Sequence, residues 1–192
     1  MIRKTLLGLI LTISTLFSQS KWSFDVTHSN VKFSVIHLMI SELEGNFKKF
    51  EGEVISTNDD FTDSKINFTV DVNSIDTDNE GRDKHLKSSD FFSADTFPNF
   101  TFTGTSFKKV SEKKYKLVGN FTMKGITKPI TLDATYFGTV KDGRGNSKAG
   151  FKIVGSLSRK EFGVTWDRAT ETGGVVVSDN VDITCHIQLR KN

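Results

Sequence analysis

A single cysteine, Cys185, is all the thiol this chain carries, so neither an internal disulfide nor a thiolate metal cage holds it together. Proline is almost as scarce, two in 192 residues, which excludes a collagen-like fibre or a proline-rich disordered polymer. Charge of one sign is also missing. The 26 Lys and Arg are nearly matched by 23 Asp and Glu and are scattered, whereas a nucleic-acid footprint needs basic residues clustered on one face. The four histidines, His28, His37, His85 and His186, make no HExxH and no close pair. No phosphate loop, dinucleotide fingerprint or Gly-x-Ser-x-Gly elbow occurs, and Gly104-Thr105-Ser106-Phe107-Lys108 fails that last pattern at its final position. The chain is therefore expected to be no enzyme, with no metal, no cofactor and no catalytic residue. Tryptophan and tyrosine number two each against 17 phenylalanines, so most of the aromatic surface lacks a polar handle.

What is present begins with a leader. Arg3 and Lys4 precede an apolar run from Leu6 to Phe17, and Ser18-Gln19-Ser20 closes it with small residues, the layout of a secretory signal peptide cleaved after Ser20. The run falls short of the roughly 20 residues that a membrane-spanning helix needs. No cysteine stands near the cleavage site to take a lipid anchor, so the mature chain is expected to be exported and soluble, with no stable membrane insertion. Without Arg3 and Lys4, 24 basic residues face 23 acidic ones, too even a balance for electrostatic capture by an anionic membrane. Residues 21–192 then form one domain, because no linker, repeat or low-complexity tract divides them.

From Lys21 onward the apolar period is two, the mark of half-buried antiparallel strands. Ile66, Phe68, Val70 and Val72 alternate with polar residues, as do Val181, Ile183, Cys185, Ile187 and Leu189. Cys185 thus sits on an apolar face, where a thiol packs as a small hydrophobe. Similar runs cover Trp22 to Val26, Val31 to Leu38, Phe47 to Ile55, Asn99 to Phe107, Tyr115 to Met123, Ile130 to Val140 and Gly150 to Leu157. Turn residues at 58–60, 124–125 and 142–146 separate them, making sequential hairpins the simplest topology. The segment 78–98 breaks the rhythm and reads as one or two short helices capping a barrel end. The fold class is all-β, an antiparallel barrel of about eight strands or two packed sheets, since a large sheet with one apolar face must close or pack on another. Three Asn-Phe-Thr triplets, at Asn67, Asn99 and Asn120, match the glycosylation sequon and are read as strand spacing.

Two readings of the phenylalanines compete. A solid core accommodates them all. An eight-stranded barrel also leaves room for one small ligand, and rings without hydroxyls make a dry wall for an aliphatic chain. Burying about 20 methylenes at about 0.8 kcal/mol each would contribute roughly 16 kcal/mol before ordering costs. The densest polar cluster, Arg82, Asp83, His85, Lys87 and Asp90, either pins a helical cap by i,i+3 and i,i+4 pairing or grips a ligand's polar head through Arg82 or His85.

Four ordered stretches resemble the YceI family of bacterial polyisoprenoid-binding, lipocalin-like proteins. They are Asp25-Val26-Thr27-His28-Ser29-Asn30-Val31-Lys32-Phe33-Ser34-Val35-Ile36-His37-Leu38 running on to Phe47; Ser74-Ile75-Asp76-Thr77 with Arg82-Asp83-Lys84-His85-Leu86 through Phe92 and Phe97-Pro98; Gly125-Ile126-Thr127-Lys128-Pro129-Ile130-Thr131-Leu132; and Ser158-Arg159-Lys160-Glu161-Phe162-Gly163-Val164. Ile36 beside His37, and Leu43 where valine is usual, depart from the pattern but stay apolar. The resemblance covers essentially residues 22–190. It implies an exported, extended antiparallel barrel with a long apolar tunnel for a polyisoprenoid, a quinone-like lipid or a fatty-acid amide, no established catalytic mechanism, and members that pair as dimers. Strand parity with the resemblance gives the expected ligand-binding residues: Phe33, Val35, Phe47, Phe68, Val70, Phe91, Phe100, Phe102, Phe121, Tyr136, Phe151 and Phe162 in the wall, with Arg82 and His85 for the head group. The expected partner is a long-chain apolar lipid, bound for transport, storage or sequestration, and the expected compartment is the periplasm, with secretion as the alternative. Two rivals stand beside this reading: an envelope stress or interaction protein with a filled barrel, and an enzyme on an amphipathic substrate using His85 with Asp83 or Asp90 as acid and base.

Overall fold

Alternating apolar residues fold into strands because a pleated chain sends successive side chains to opposite faces, and one face can then be buried along its whole length. The computed structural model describes residues 19–168 and 174–192, so the expected leader, apart from Gln19 and Ser20, lies outside the described residues. Among those described, the strands are β1 (Ser20–Phe24), β2 (Asn30–His37), β3 (Ser41–Phe47), β4 (Phe50–Ser56), β5 (Lys65–Asp71), β6 (Ile75–Asp76), β7 (Asn99–Ser111), β8 (Lys114–Met123), β9 (Ile126–Lys141), β10 (Ser147–Ser158) and β11 (Asn180–Lys191). One helix, α1 (Glu80–Lys87), stands between β6 and β7, with the Asn79 side chain accepting from the Arg82 N–H at its start.

Every pairing is antiparallel, and the order β1-β4-β5-β7-β8-β9-β10-β11 closes back on β1, an eight-stranded barrel. Sequential hairpins account for β7 to β11, but the junctions at the chain's start differ from the simple meander. The run expected from Phe47 to Ile55 is two strands, since β3 ends at Phe47 and pairs with β2 while β4 begins at Phe50 and pairs with β5. One edge of β11 is shared: Leu189 to Lys191 pair with β1, and Asp182 to His186 pair with β2. β3 and the short β6 extend that second branch outward. Close approach fixes the β2–β3 register, because the Phe33 ring covers Gly45 where any Cβ would collide with it.

Where the chain crosses from β1 to β2, a polar knot ties it down. Asp25 Oδ2 accepts from Lys148 Nζ at 2.7 Å and from Gln188 Nε2 at 3.1 Å, and Oδ1 accepts from Thr27 Oγ1 at 2.7 Å. Ser29 Oγ donates to the Asp25 carbonyl and accepts from the Gln188 N–H. The Lys148 hydrogen bond, with the others adding to it, holds the Asp25 carboxyl well below the usual carboxylate range.

One barrel end is stoppered by aromatic rings. The loop from β4 to β5 turns Phe61 inward with φ +64°, leaving it 2% exposed. Its ring meets those of Trp22 at 5.0 Å, Phe151 at 5.2 Å and Tyr136 at 5.6 Å. Phe107 stacks on Tyr115 at 4.7 Å, and the Tyr115 hydroxyl donates to the Asp60 carbonyl of the same loop.

Two consequences are measurable. Phe61→Ala opens this end and should destabilise the protein by about 3–5 kcal/mol, read from the urea midpoint. For Asp25, a native pKa below the unfolded value means its stabilisation is complete above the ordinary carboxylate pKa of about 4 and is lost as pH falls toward the native one. Asp25→Asn should therefore cost about 1–3 kcal/mol at pH 7, with the difference from wild type shrinking below about pH 4. A constant difference down to the acid limb would contradict this.

Candidate functional site

The inward faces of the strands do not meet in the middle. They enclose one continuous cavity of about 450 Å³, running from Phe107 and Phe151 beside the stopper to His37, His85 and Trp166 at the other end. That size lies within the range of about 300–1,000 Å³ typical of small-molecule sites. The whole apolar face of β11, Val181, Ile183, Cys185, Ile187 and Leu189, lines it. Phenylalanine rings pave much of the rest: Phe33 to Phe47 at 5.6 Å, Phe47 to Phe100 at 5.6 Å, Phe100 to Phe121 at 6.0 Å and Phe24 to Phe68 at 5.1 Å. The Asn-Phe-Thr triplets belong here. Phe68, Phe100 and Phe121 face the cavity, while Asn and Thr alternate away from it in the ladders of β5, β7 and β8.

At the mouth the lining turns partly polar. Arg82 Nε donates to Thr77 Oγ1 at 2.8 Å and Nη2 to the Thr77 carbonyl, and Asp83 Oδ1 accepts from the Thr77 N–H and hydroxyl, fastening α1 to the end of β6. Nη1 of Arg82 has no protein hydrogen bond among the described residues. His85 stands with its ring edge-on to Phe91 at 5.0 Å and Trp166 at 5.4 Å, and its Nε2 lies 3.1 Å from Asp90 Oδ2. Arg159, only 3% exposed, is a strut: Nη1 donates to the Val164 and Trp166 carbonyls, Nε to Ser178 and Nη2 to Val177. Four carbonyls satisfy one guanidinium, and two non-strand segments are thereby locked together around the opening.

Of the residues expected from sequence, Phe33, Val35, Phe47, Phe68, Val70, Arg82, His85, Phe91, Phe100, Phe102, Phe121 and Phe151 all line this cavity. Tyr136 and Phe162 lie off its wall. A register shift between Gly150 and Phe151 pushes Phe137 out to solvent and leaves Tyr136 packed in the stopper, where its ring stacks on Phe151 at 5.0 Å. Phe162 is fully buried behind Phe121, at 5.4 Å, in a 3-10 turn after β10. Tyr136 keeps the inward parity of Leu132 and Ala134, but parity cannot tell a plug at the shut end from the wall, and Phe162 lies past a strand's end. Sequence reasoning passed over Trp166, Leu86, Phe92 and Val177, which line the mouth from segments without alternation.

Cys185 faces the cavity from mid-strand, and burial pushes its thiol up to about 12. Among the described residues no group of His, Cys, Asp or Glu could hold a metal ion, and no helix is long and apolar enough to cross a membrane.

The sequence matches the model of the YceI-like domain over residues 22–189. A UPF0312 protein of Staphylococcus epidermidis is 37% identical over 163 residues, covering 84% of this chain and 92% of its own. The crystal structure of the Campylobacter jejuni YCEI protein superposes with a TM-score of 0.71 at 32% identity, over 82% of this chain and 90% of that one. A polyisoprenoid binding domain from Saccharophagus degradans shares the fold with a TM-score of 0.68 at 13% identity, over 89% and 98% of the two chains.

The thiol offers a direct check on the wall. At pH 8 a charged disulfide reagent should leave Cys185 unmodified in the native protein and titrate it fully in urea, because only about one thiol in 10⁴ is ionised four pH units below its pKa. Rapid native modification would place Cys185 in contact with solvent.

Proposed function

The chain belongs to the YceI-like family, and from that premise we propose that it is an exported lipid-binding protein that holds a polyisoprenoid, an isoprenoid quinone or a long acyl chain inside the barrel. The observation that carries this is the continuous cavity of about 450 Å³, its wall almost wholly apolar, with Arg82 and His85 among the few polar side chains that line it. A filled barrel, the first rival reading, has no use for such a space. An amphipathic guest would lie with its tail along the phenylalanine wall and its head beside Arg82 and His85. Each buried methylene contributes about 0.8 kcal/mol of transfer free energy, so the tail supplies the affinity and the head group sets direction. That a neighbour sharing this fold is named a polyisoprenoid binding domain supports the reading. The second rival, acid–base chemistry by His85, has in the hydrogen-bonded Asp90 the one feature that would suit it. The family and the fold favour a binding protein over an enzyme. The leader read in residues 1–20 argues for the periplasm, or for secretion, and for carriage, storage or sequestration there.

Organic extraction of the purified protein followed by mass spectrometry should release a long-chain lipid. The lipid-stripped protein should take up cis-parinaric acid, a fluorescent polyene fatty acid. Phe102→Asp and Ile153→Asp, which place a carboxylate on the wall, should each weaken that uptake by about 100-fold or more, with the β-sheet circular dichroism retained. A folded variant that binds as wild type does, or repeated absence of both native lipid and uptake, would overturn the reading.

A further inference from the structure

The β2–β3 hairpin ends in Leu38-Met39-Ile40, and these side chains are 41%, 68% and 85% exposed. No other exposed large apolar side chains among the described residues form a run of three. Turn chemistry does not select them. Leu38 and Met39 sit at φ +51° and +63°, a two-residue hairpin turn that favours Asn-Gly, and bulky side chains there are strained. Packing does not select them either, since they stand in solvent. Ile36 and Val175, both exposed, extend the same apolar surface: the Leu38 N–H donates to the Val176 carbonyl at 2.9 Å, and His37 bridges to Val177. Val176, Val177, Val35 and His37 line the cavity. The inner wall of the mouth and the projecting tip are thus two faces of one strand end.

We propose that Leu38, Met39 and Ile40 are a docking wedge that seats reversibly in the outer layer of a phospholipid bilayer and brings the cavity mouth against it. The proposal rests on the lipid-binding reading, because a guest insoluble in water needs a dry route between bilayer and barrel. Continuity of tip and mouth favours a bilayer over a second copy of the chain. Three side chains on a convex turn cover a small part of the roughly 800 Å² per partner that a stable protein interface uses, whereas a short apolar projection suits the headgroup–acyl boundary. Charges on the segments that carry the mouth are of both signs, with Lys84 and Lys87 on α1 and Arg168 over the Trp166 ring, against Asp90 paired with His85 and Asp167 paired with Lys160, so apolar insertion and not electrostatic capture provides the attraction.

The test uses the full mature protein and neutral phosphatidylcholine vesicles. Wild type should co-sediment with them equally at 0.15 and 0.5 M salt, and Met39→Asp with Ile40→Asp should lower that binding by about tenfold or more. The same variant should load cis-parinaric acid delivered from ethanol as wild type does, yet extract it from vesicles about tenfold more slowly. In case the double variant folds poorly, Met39→Trp gives an independent signal: its emission should shift to the blue on adding vesicles. Wild type that stays in the supernatant, undiminished vesicle binding by the double variant, or an unshifted Met39→Trp emission would each overturn the wedge. So would a dimer in sedimentation velocity that the double variant dissolves while vesicles bind neither form, which would give the tip to a second copy. Failure of wild type to take up cis-parinaric acid from ethanol would instead strike the lipid-binding reading itself.

Discussion

The shared edge of β11 is the constraint from which the rest of the architecture follows. Its last residues pair with β1 and its first with β2, so the chain must cross between two positions in the sheet within a few residues. On the β1 side the ring closes through β4 and is stoppered by Phe61. On the β2 side the branch β2-β3-β6 turns outward, and α1 and the Arg159-strutted loop stand around the gap. One end is therefore shut and the other open, which a symmetrical eight-stranded barrel would not give. The Asp25 knot sits at the crossing and ties it to β10 and β11 through Lys148 and Gln188.

The interior stays hollow for a reason of geometry. Phenylalanines reach inward from most walls, and their rings meet edge-on or tilted at 5.1–6.0 Å, some between neighbouring strands and some, as Phe47 with Phe100, between strands that do not pair, while a cavity of about 450 Å³ stays open among them. Where rings do meet across the barrel, as Phe61 does with Trp22, Tyr136 and Phe151, the space is filled and the end is sealed. Both tyrosines and Trp22 cluster at that seal, where the Tyr115 hydroxyl finds the Asp60 carbonyl. The hollow stretch uses phenylalanine, which brings no donor needing a partner in a dry wall.

Much of this was legible in the sequence because strand alternation reports which side chains share a face. Phe33, Phe68 and Phe102 followed from parity together with the resemblance, the β11 face from its alternation, and the helix from the break in rhythm at Asp78. Parity could not show that β3 and β4 are separate, since Phe47 and Phe50 are both buried and only the two residues between them turn the chain. Nor could it find Trp166, whose place beside His85 depends on Arg159 reaching across to carbonyls far along the chain. Long-range hydrogen bonds to backbone carbonyls leave no local pattern.

The four stretches that carry the family resemblance turn out to specify the container more than the contents. Asp25 and Ser29 tie the β1–β2 crossing. Thr77, Arg82 and Asp83 fasten α1 to β6. Lys124 and Gly125 form the β8–β9 turn at positive φ, with the Phe97 ring against the glycine and Lys124 Nζ on the Gly163 carbonyl. Arg159 braces the mouth. Each acts through directional polar bonds or a backbone conformation that few residues can supply, so residue identity is demanded there. The wall asks only for apolar volume, which Phe, Ile, Leu and Val provide interchangeably to within a methylene or two. A family built this way can keep its barrel while changing the width and length of its cavity through wall positions outside those stretches, such as Phe68, Phe102, Phe121 and Phe151.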